Sequence, residues 1–247
     1  MKRILACLLA VMMLATPLKA FADTAEVETE PEVETEAVEE AELPPLTYDY
    51  DELVVGTTMP MYGTFFTSMW GNGSGDIDVR NLLHGYNLVE WNGEEGGFMM
   101  NPTVVSNTNV TENAAGDHTY AITLFNDLRY SDGSRVTAWD YAFSLLLQMS
   151  PEIEEIGGKI YRAEHILGNA EFLKGTTRVL KGVRVLSDLE LSITLDRAYL
   201  PFYYEEGLLL CVPYPIGVIA PGCKVYDDGE GVYIGNEDGA GEESLYT

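Results

Sequence analysis

Side chains able to do chemistry are sparse and widely spaced in this 247-residue chain. The three histidines, His84, His118 and His165, lie far apart with no second imidazole beside any of them, so each reads as a surface or capping group rather than a metal ligand or base. Asp76-Ile77-Asp78 begins like a calcium loop but lacks the further oxygen ligands that such a loop supplies. The glycine-rich run Gly71-Asn72-Gly73-Ser74-Gly75 could bring backbone amides close to a ligand. It is not a dinucleotide loop, because Asp76 stands where the third glycine belongs. There is no phosphate loop, no Gly-x-Ser-x-Gly elbow, no His-Glu-x-x-His and no zinc-spaced cysteine pair. The chain is therefore expected to bind rather than catalyse, with no metal and no cofactor.

Beside the glycines sit Met59, Met61, Tyr62, Phe65, Phe66, Met69 and Trp70, too irregular for a helical stripe. Two readings stay open for this cluster: core packing, or the adaptable apolar wall of a ligand cleft. A strand before the loop and a helix after it would hold it in place. Leu53, Val54 and Val55 ahead of Gly56 predict a short buried strand, and Val79, Leu82 and Leu83 predict a short helix with an apolar face. Leu88, Val89 and Trp91 then read as extended, with a turn over Gly93 to Gly97.

Further on, two alternating runs meet at Asn113 to Asp117, which is a hairpin signal, with Tyr120, Ile122 and Leu124 on one face. Tyr130-Ser131-Asp132-Gly133 makes a polar corner. Thr137 and Asp140 form a capping box for a helix whose stripe is Trp139, Ala142, Phe143, Leu146 and Leu147, and which stops at Ser150-Pro151. Arg162 to Leu173 reads as another helix closed by Lys174-Gly175. Val183 and Val185, a turn at Ser187-Asp188, and Leu189, Leu191, Ile193 and Leu195 give a second hairpin. An aromatic helix or loop follows Pro201, and no core-forming period is visible beyond Gly222. Cys211 and Cys223 could close a short loop; a bond there would stabilise by roughly 3 kcal/mol, and the sequence leaves its existence open.

The organisation at large is that of an exported protein. Lys2 and Arg3, an apolar run from Ile4 to Ala15 and Ala20-Phe21-Ala22 read as a signal peptide over residues 1–22, too short to span a bilayer. Residues 23–45 carry ten acids and no Lys or Arg, and are expected to be a disordered, self-repelling spacer. The remainder divides into 46–222 and an acidic, glycine-rich segment 223–247. A net charge of −26 excludes nucleic acid and anionic membrane as natural partners, and no segment is long enough for a membrane span.

Thr119 to Leu145, with Tyr120, the Tyr130-Ser131-Asp132-Gly133 corner, Thr137-Ala138-Trp139-Asp140 and Phe143, resembles the most characteristic segment of the extracellular solute-binding proteins of family 5, the peptide-binding components of ABC importers. The likeness extends to Leu82 to Trp91, Pro102 to Tyr120, and Gly168 to Leu195, and departs at Asn126-Asp127, where a basic residue is usual. It implies an α/β, bilobal fold of the type II periplasmic-binding-protein kind, with most of one lobe present here and a second lobe expected beyond it. It also implies an exported protein at the cell surface, in the periplasm or outside the cell, that takes a peptide or similar solute and meets ABC permease subunits. A surface sensor or adhesion module on the same fold is the alternative, and a secreted hydrolase stands third. By the same likeness the ligand side is the loop after the first strand, Thr67, Ser68, Trp70, Gly71, Asn72, Ser74 and Asp76, while the polar corner is architectural. If the acidic spacer is disordered, limited proteolysis should trim residues 23–45 and leave a resistant core starting near Tyr48; a resistant acidic segment would count against it.

Overall fold

The computed structural model describes residues 54–236; the expected signal peptide, the acidic spacer and Leu53 lie outside them. In chain order the elements are α1 (Ser74–Leu83), a hairpin of β1 (Val89–Asn92) and β2 (Gly97–Met100), and a second of β3 (Val105–Glu112) and β4 (His118–Leu124). Then come α2 (Ala138–Met149), α3 (Pro151–Glu155), α4 (Asn169–Leu173), the hairpin of β5 (Val183–Ser187) and β6 (Glu190–Leu195), two 3-10 turns (Arg197–Tyr199 and Glu205–Leu209), α5 (Ile216–Ile219) and a last hairpin of β7 (Cys223–Asp227) and β8 (Val232–Asn236). The class is mixed α/β.

The middle hairpins combine into one antiparallel sheet of order β3-β4-β6-β5. Alternation sets its inner face: Tyr120, Ile122 and Leu124 of β4, Leu191, Ile193 and Leu195 of β6, and Val183 and Val185 of β5 are all buried. Asn113 closes the first turn, its side-chain oxygen accepting the Ala115 (2.8 Å) and Asp117 (3.1 Å) N–H groups. Helix α2 packs against β5 and β6 on one side and against β7 and β8 on another. It is buried well beyond the expected stripe, since Tyr141, Ser144, Leu145 and Met149 are enclosed as well. A helix apolar nearly all round has to lie at the centre of its unit. Its capping box is present, with the Asp140 carboxylate accepting from the Thr137 backbone N–H at 2.8 Å and from its hydroxyl at 2.9 Å. Burial pushes the Asp140 carboxyl up, against the pull of those bonds.

Four expectations need correction. Val54 and Val55 are exposed and belong to no strand. Helix α1 turns Leu82 and Leu83 to solvent and buries Gly75, Asp76 and Arg80 instead, so its inner face is polar. Only Asn169–Leu173 of the expected 162–173 helix is helical. Upstream, Leu167 N–H bonds the Thr194 carbonyl (3.0 Å), the His165 carbonyl accepts from Asp196 N–H (2.8 Å), and Gly168 takes φ 75°, so the backbone is satisfied by β6 rather than by its own turns. Residues 223–236, where no core-forming period was visible, form β7 and β8 and bury Val225 and Val232. Gly231 permits this, because a Cβ there would lie 2.5 Å from the Leu180 carbonyl oxygen, on the segment that bonds Val232. Cys211 and Cys223 are both free thiols, the first buried and pushed up by that burial.

The last hairpin is clipped to the sheet by Asp227, which accepts from Arg184 Nε (2.9 and 2.8 Å) and from Val185 N–H (2.9 Å). Burial alone would raise this carboxyl, but the bonds from Arg184, Gly229 and Val185 outweigh it and hold it below its ordinary 3.8. A depressed carboxyl contributes stability that is present above the unfolded value and lost as pH falls through the folded one. Asp227→Asn should therefore cost about 1–3 kcal/mol near neutral pH. The difference from wild type should shrink as pH drops below 3.8, as read by urea unfolding at several pH values. At the corner, Gly133 has φ 86° with open space around it, so Gly133→Val should cost about 1 kcal/mol or more through backbone strain alone. Asp140→Ala should cost about 0.5–2 kcal/mol through the cap. Unchanged unfolding midpoints would show that neither the corner nor the cap restrains the chain.

Candidate functional site

The loop before α1 is held by two groups of that helix. Asp76 is fully buried, and its carboxylate accepts from the N–H groups of Tyr62 (3.0 Å) and Gly63 (3.1 Å) and from the Thr64 hydroxyl (3.1 Å). One turn on, Arg80 donates through Nη1 to the carbonyls of Thr64 (2.8 Å), Thr67 (3.1 Å) and Gly71 (3.0 Å), and through Nη2 to the Asn72 side-chain oxygen. A buried charge persists only when its hydrogen-bonding capacity is used, and here the partners are the loop backbone itself. This accounts for the polar inner face of α1: the helix secures a loop instead of completing an apolar core.

The seven expected ligand residues therefore have different places. Asp76 and the side chain of Asn72 are engaged within the loop, as is the Gly71 carbonyl. Thr67 is buried, its hydroxyl oxygen accepting from Met69 N–H (3.2 Å) and from the Tyr214 hydroxyl (3.2 Å). Ser74 is the exposed first residue of α1. Trp70 is half exposed beside Gly158, where a Cβ would come within 3.1 Å of its ring. Ser68 lines a cavity of about 280 Å³ together with Arg80, Asn81, His84, Asn87, Gln148 and Tyr214. Of the apolar cluster Met69 is buried, whereas Met59, Met61, Tyr62 and Phe66 are exposed.

A second cavity, of about 730 Å³, shares His84 with the first. Its walls are Phe66, Leu83, Tyr86, Pro213, Pro215 and Val218, and one end is formed by Arg129, Tyr130, Ser131 and Asp132. The polar corner thus contributes to this wall besides making a turn. Asp132 accepts from the Ser134 hydroxyl (2.6 Å) and N–H (2.8 Å), which hold its carboxyl below the usual range, while Arg129 is fixed on the Gly133 carbonyl (3.1 Å). His84 Nε2 lies 2.7 Å from the Phe66 carbonyl, which can only accept, so Nε2 carries a proton and donates it there. Phe66 stacks on Tyr214 at 5.3 Å and meets His84 edge-on at 5.5 Å, fixing the ring that the two cavities share. The result is an apolar groove with an acid, a cation and an imidazole at set positions, suited to holding an extended solute with apolar side groups.

Sequence reasoning reached the glycine loop and kept Phe66 among the residues of a possible cleft wall, but missed His84, Tyr86, Pro213, Pro215 and Val218, which join it. The Pro213-Tyr214-Pro215 run was the available signal, since prolines on either side of an aromatic make a stiff apolar wall. Its meeting with residues 66 and 84 is tertiary. The other histidines bond within the fold: His118 Nδ1 lies 2.6 Å from Glu205, and the buried His165 donates to the Leu208 carbonyl at 2.9 Å. Among the described residues no group of His, Cys, Asp and Glu could hold a metal ion.

No protein-family model matches the chain, and no curated protein matches it. Solved structures similar to it include Listeria monocytogenes OppA bound to peptide (TM-score 0.49, 16% identity, 68% of this chain and 36% of that one). Others are lactococcal OppA complexed with an endogenous peptide in the closed conformation (0.49, 20%, 67% and 31%) and the Escherichia coli murein tripeptide binding protein MppA (0.47, 20%, 61% and 28%). The chain spans about a third of the length of the structures it matches.

Removing the Arg80 guanidinium would strand four loop acceptors at once. Arg80→Met should destabilise the protein by about 2–4 kcal/mol and speed proteolysis between residues 60 and 72. Unchanged cleavage there would show that apolar contacts, not the guanidinium, hold the loop.

Proposed function

We propose that this chain is an exported solute-binding protein that captures peptides in the groove beside His84 and presents them to an ABC permease. The observation that carries this reading is the groove itself. It has a 730 Å³ apolar trough walled by Phe66, Leu83, Tyr86 and the two prolines, with Asp132 and Arg129 fixed at one end. Apolar walls with a few fixed polar groups suit peptides, whose main chain is constant and whose side chains vary. The order of elements, and the corner and cap at Tyr130 to Asp140, support the same reading through their resemblance to the peptide-binding family. Of the glycine-loop residues, Ser68 lines the groove's smaller neighbour and Trp70 is half exposed, so both have side chains left over for a ligand. The role is capture and not cleavage. Among the described residues no helix is long and apolar enough to cross a membrane.

The groove is open along one side, so this chain by itself makes one-sided contacts. Ordering costs then consume most of the gain, and binding should fall in the millimolar range, with a second lobe closing over the ligand in the complete receptor. The test is amide chemical-shift perturbation of residues 23–247 with a pool of tri- to pentapeptides. Shifts should map to Phe66, His84, Tyr86 and the 129–132 corner, saturate only at millimolar peptide, and leave the peptides intact. Leu83 is 61% exposed, so Leu83→Asp should preserve the fold and weaken these shifts. Micromolar binding that ignores Leu83→Asp would place the site elsewhere.

A further inference from the structure

The four-stranded sheet has two edges, finished differently. On the β5 side, Asp227 takes the Val185 N–H and the Leu180 backbone pairs with Val232, so the last hairpin covers that edge. The β3 side carries no such cover among the described residues. Which of its backbone groups are free follows from the ladder. Leu124 N–H bonds the Leu189 carbonyl (2.8 Å), so even-numbered residues of β4 face β6. Phe125 N–H bonds the Val104 carbonyl (2.9 Å) and Asn113 N–H the Asp117 carbonyl (3.0 Å), so the odd-numbered ones face β3. With the register Asn107↔Thr123, Asn109↔Ala121 and Thr111↔Thr119, the N–H and C=O groups of Thr108, Val110 and Glu112 point out of the sheet.

Edge strands are normally blunted by proline, lysine, shortness or a bulge along their length. β3 has eight residues, Val-Ser-Asn-Thr-Asn-Val-Thr-Glu, with no proline or lysine, and its irregularity lies between Val105 and Asn107, next to Thr108 but away from Val110 and Glu112. Its charge points to the partner. Glu112 lies at the edge, 3.9 Å from His118, which in turn bonds Glu205, so two carboxylates gather at this end of a chain with net charge −26. A second acidic copy is repelled, and so is the chain's own 23–45 segment. We propose that the outer edge of β3 is a strand-addition surface for an extended, basic segment of a partner protein. The segment pairs its main chain with Thr108, Val110 and Glu112, sets a Lys or Arg against Glu112, and lays a β-branched residue beside Val110, which is half exposed. This surface shares no residue with the groove lining.

The probe is the hexapeptide Lys-Lys-Val-Lys-Val-Lys, whose first and third residues can face Glu112 and Val110 in an antiparallel pairing, with Glu-Glu-Val-Glu-Val-Glu as its counterpart, read by residue-resolved amide exchange on the whole chain. The basic peptide should slow exchange at Thr108, Val110 and Glu112 by roughly tenfold or more at low salt, the acidic one should not, and added salt should reverse the effect. Val110→Pro deletes an outward N–H that the fold does not use, so it should keep the far-UV spectrum and lose the protection. If that variant does not fold, Glu112→Lys decides: it should weaken the basic peptide and strengthen the acidic one. Leu83→Asp in the groove should leave edge protection unchanged. Three results overturn the proposal: protection of these amides without peptide, peptide effects confined to the groove, or indifference to Glu112→Lys.

Discussion

Everything described in this chain is arranged around the enclosure of α2. Helix propensity does not hold twelve residues such as Ala138–Met149 in place by itself; burial on nearly every side does. That demand explains the surroundings. The four-stranded sheet supplies one wall and the β7–β8 hairpin another, and the extended segment at Cys211 to Tyr214 runs alongside, with Tyr214 N–H donating to the Ser144 hydroxyl (2.7 Å) and the Cys211 thiol lying 3.7 Å from the Tyr141 carbonyl. Ser144, a polar residue in an apolar helix, is kept satisfied by donating to the Asp140 carbonyl (3.0 Å) while accepting from Tyr214. The same segment carries the two prolines of the groove, so the groove's wall is an extension of the core.

How much of this was legible depended on whether the determining contacts were local. The hairpins at Asn113 and Ser187 and the capped helix announce themselves, because alternation and capping are written within a few residues. Residues 162–168 carry a helical apolar pattern, yet their backbone donors find Thr194 and their acceptors Asp196, partners about thirty residues away that no local period reveals. Helix α1 misleads in the opposite way. Val79, Leu82 and Leu83 suggest an apolar face, but one buried guanidinium and one buried carboxylate have more to gain from the loop carbonyls and amides than two leucines have from a thin core. The β7–β8 hairpin was hidden because Val225 and Val232 are its only buried apolar side chains, too few to make a period.

The candidate site was partly visible for the same reason. The glycine loop stands out in composition, and the structure shows its glycines serving the path of the loop backbone over α1. What could not be read is that Phe66 before the loop, His84 after the helix and Pro213 to Pro215 converge. Each is unremarkable locally, and the groove exists only where the three meet.

One bond in that convergence bears on the order in which the chain takes shape. The hydroxyl of Tyr214 reaches Thr67 across 147 residues, and the Phe66 ring lies against the same tyrosine. Closing so long a loop is slow, and no nearer segment substitutes for it. As the chain is made, residues 62–72 can wrap Asp76 and Arg80 early but cannot seat against the core until residue 214 has emerged. Nearly the first described segment to be synthesised is among the last to dock, and until then its methionines and aromatics stay open to whatever escorts the unfinished chain.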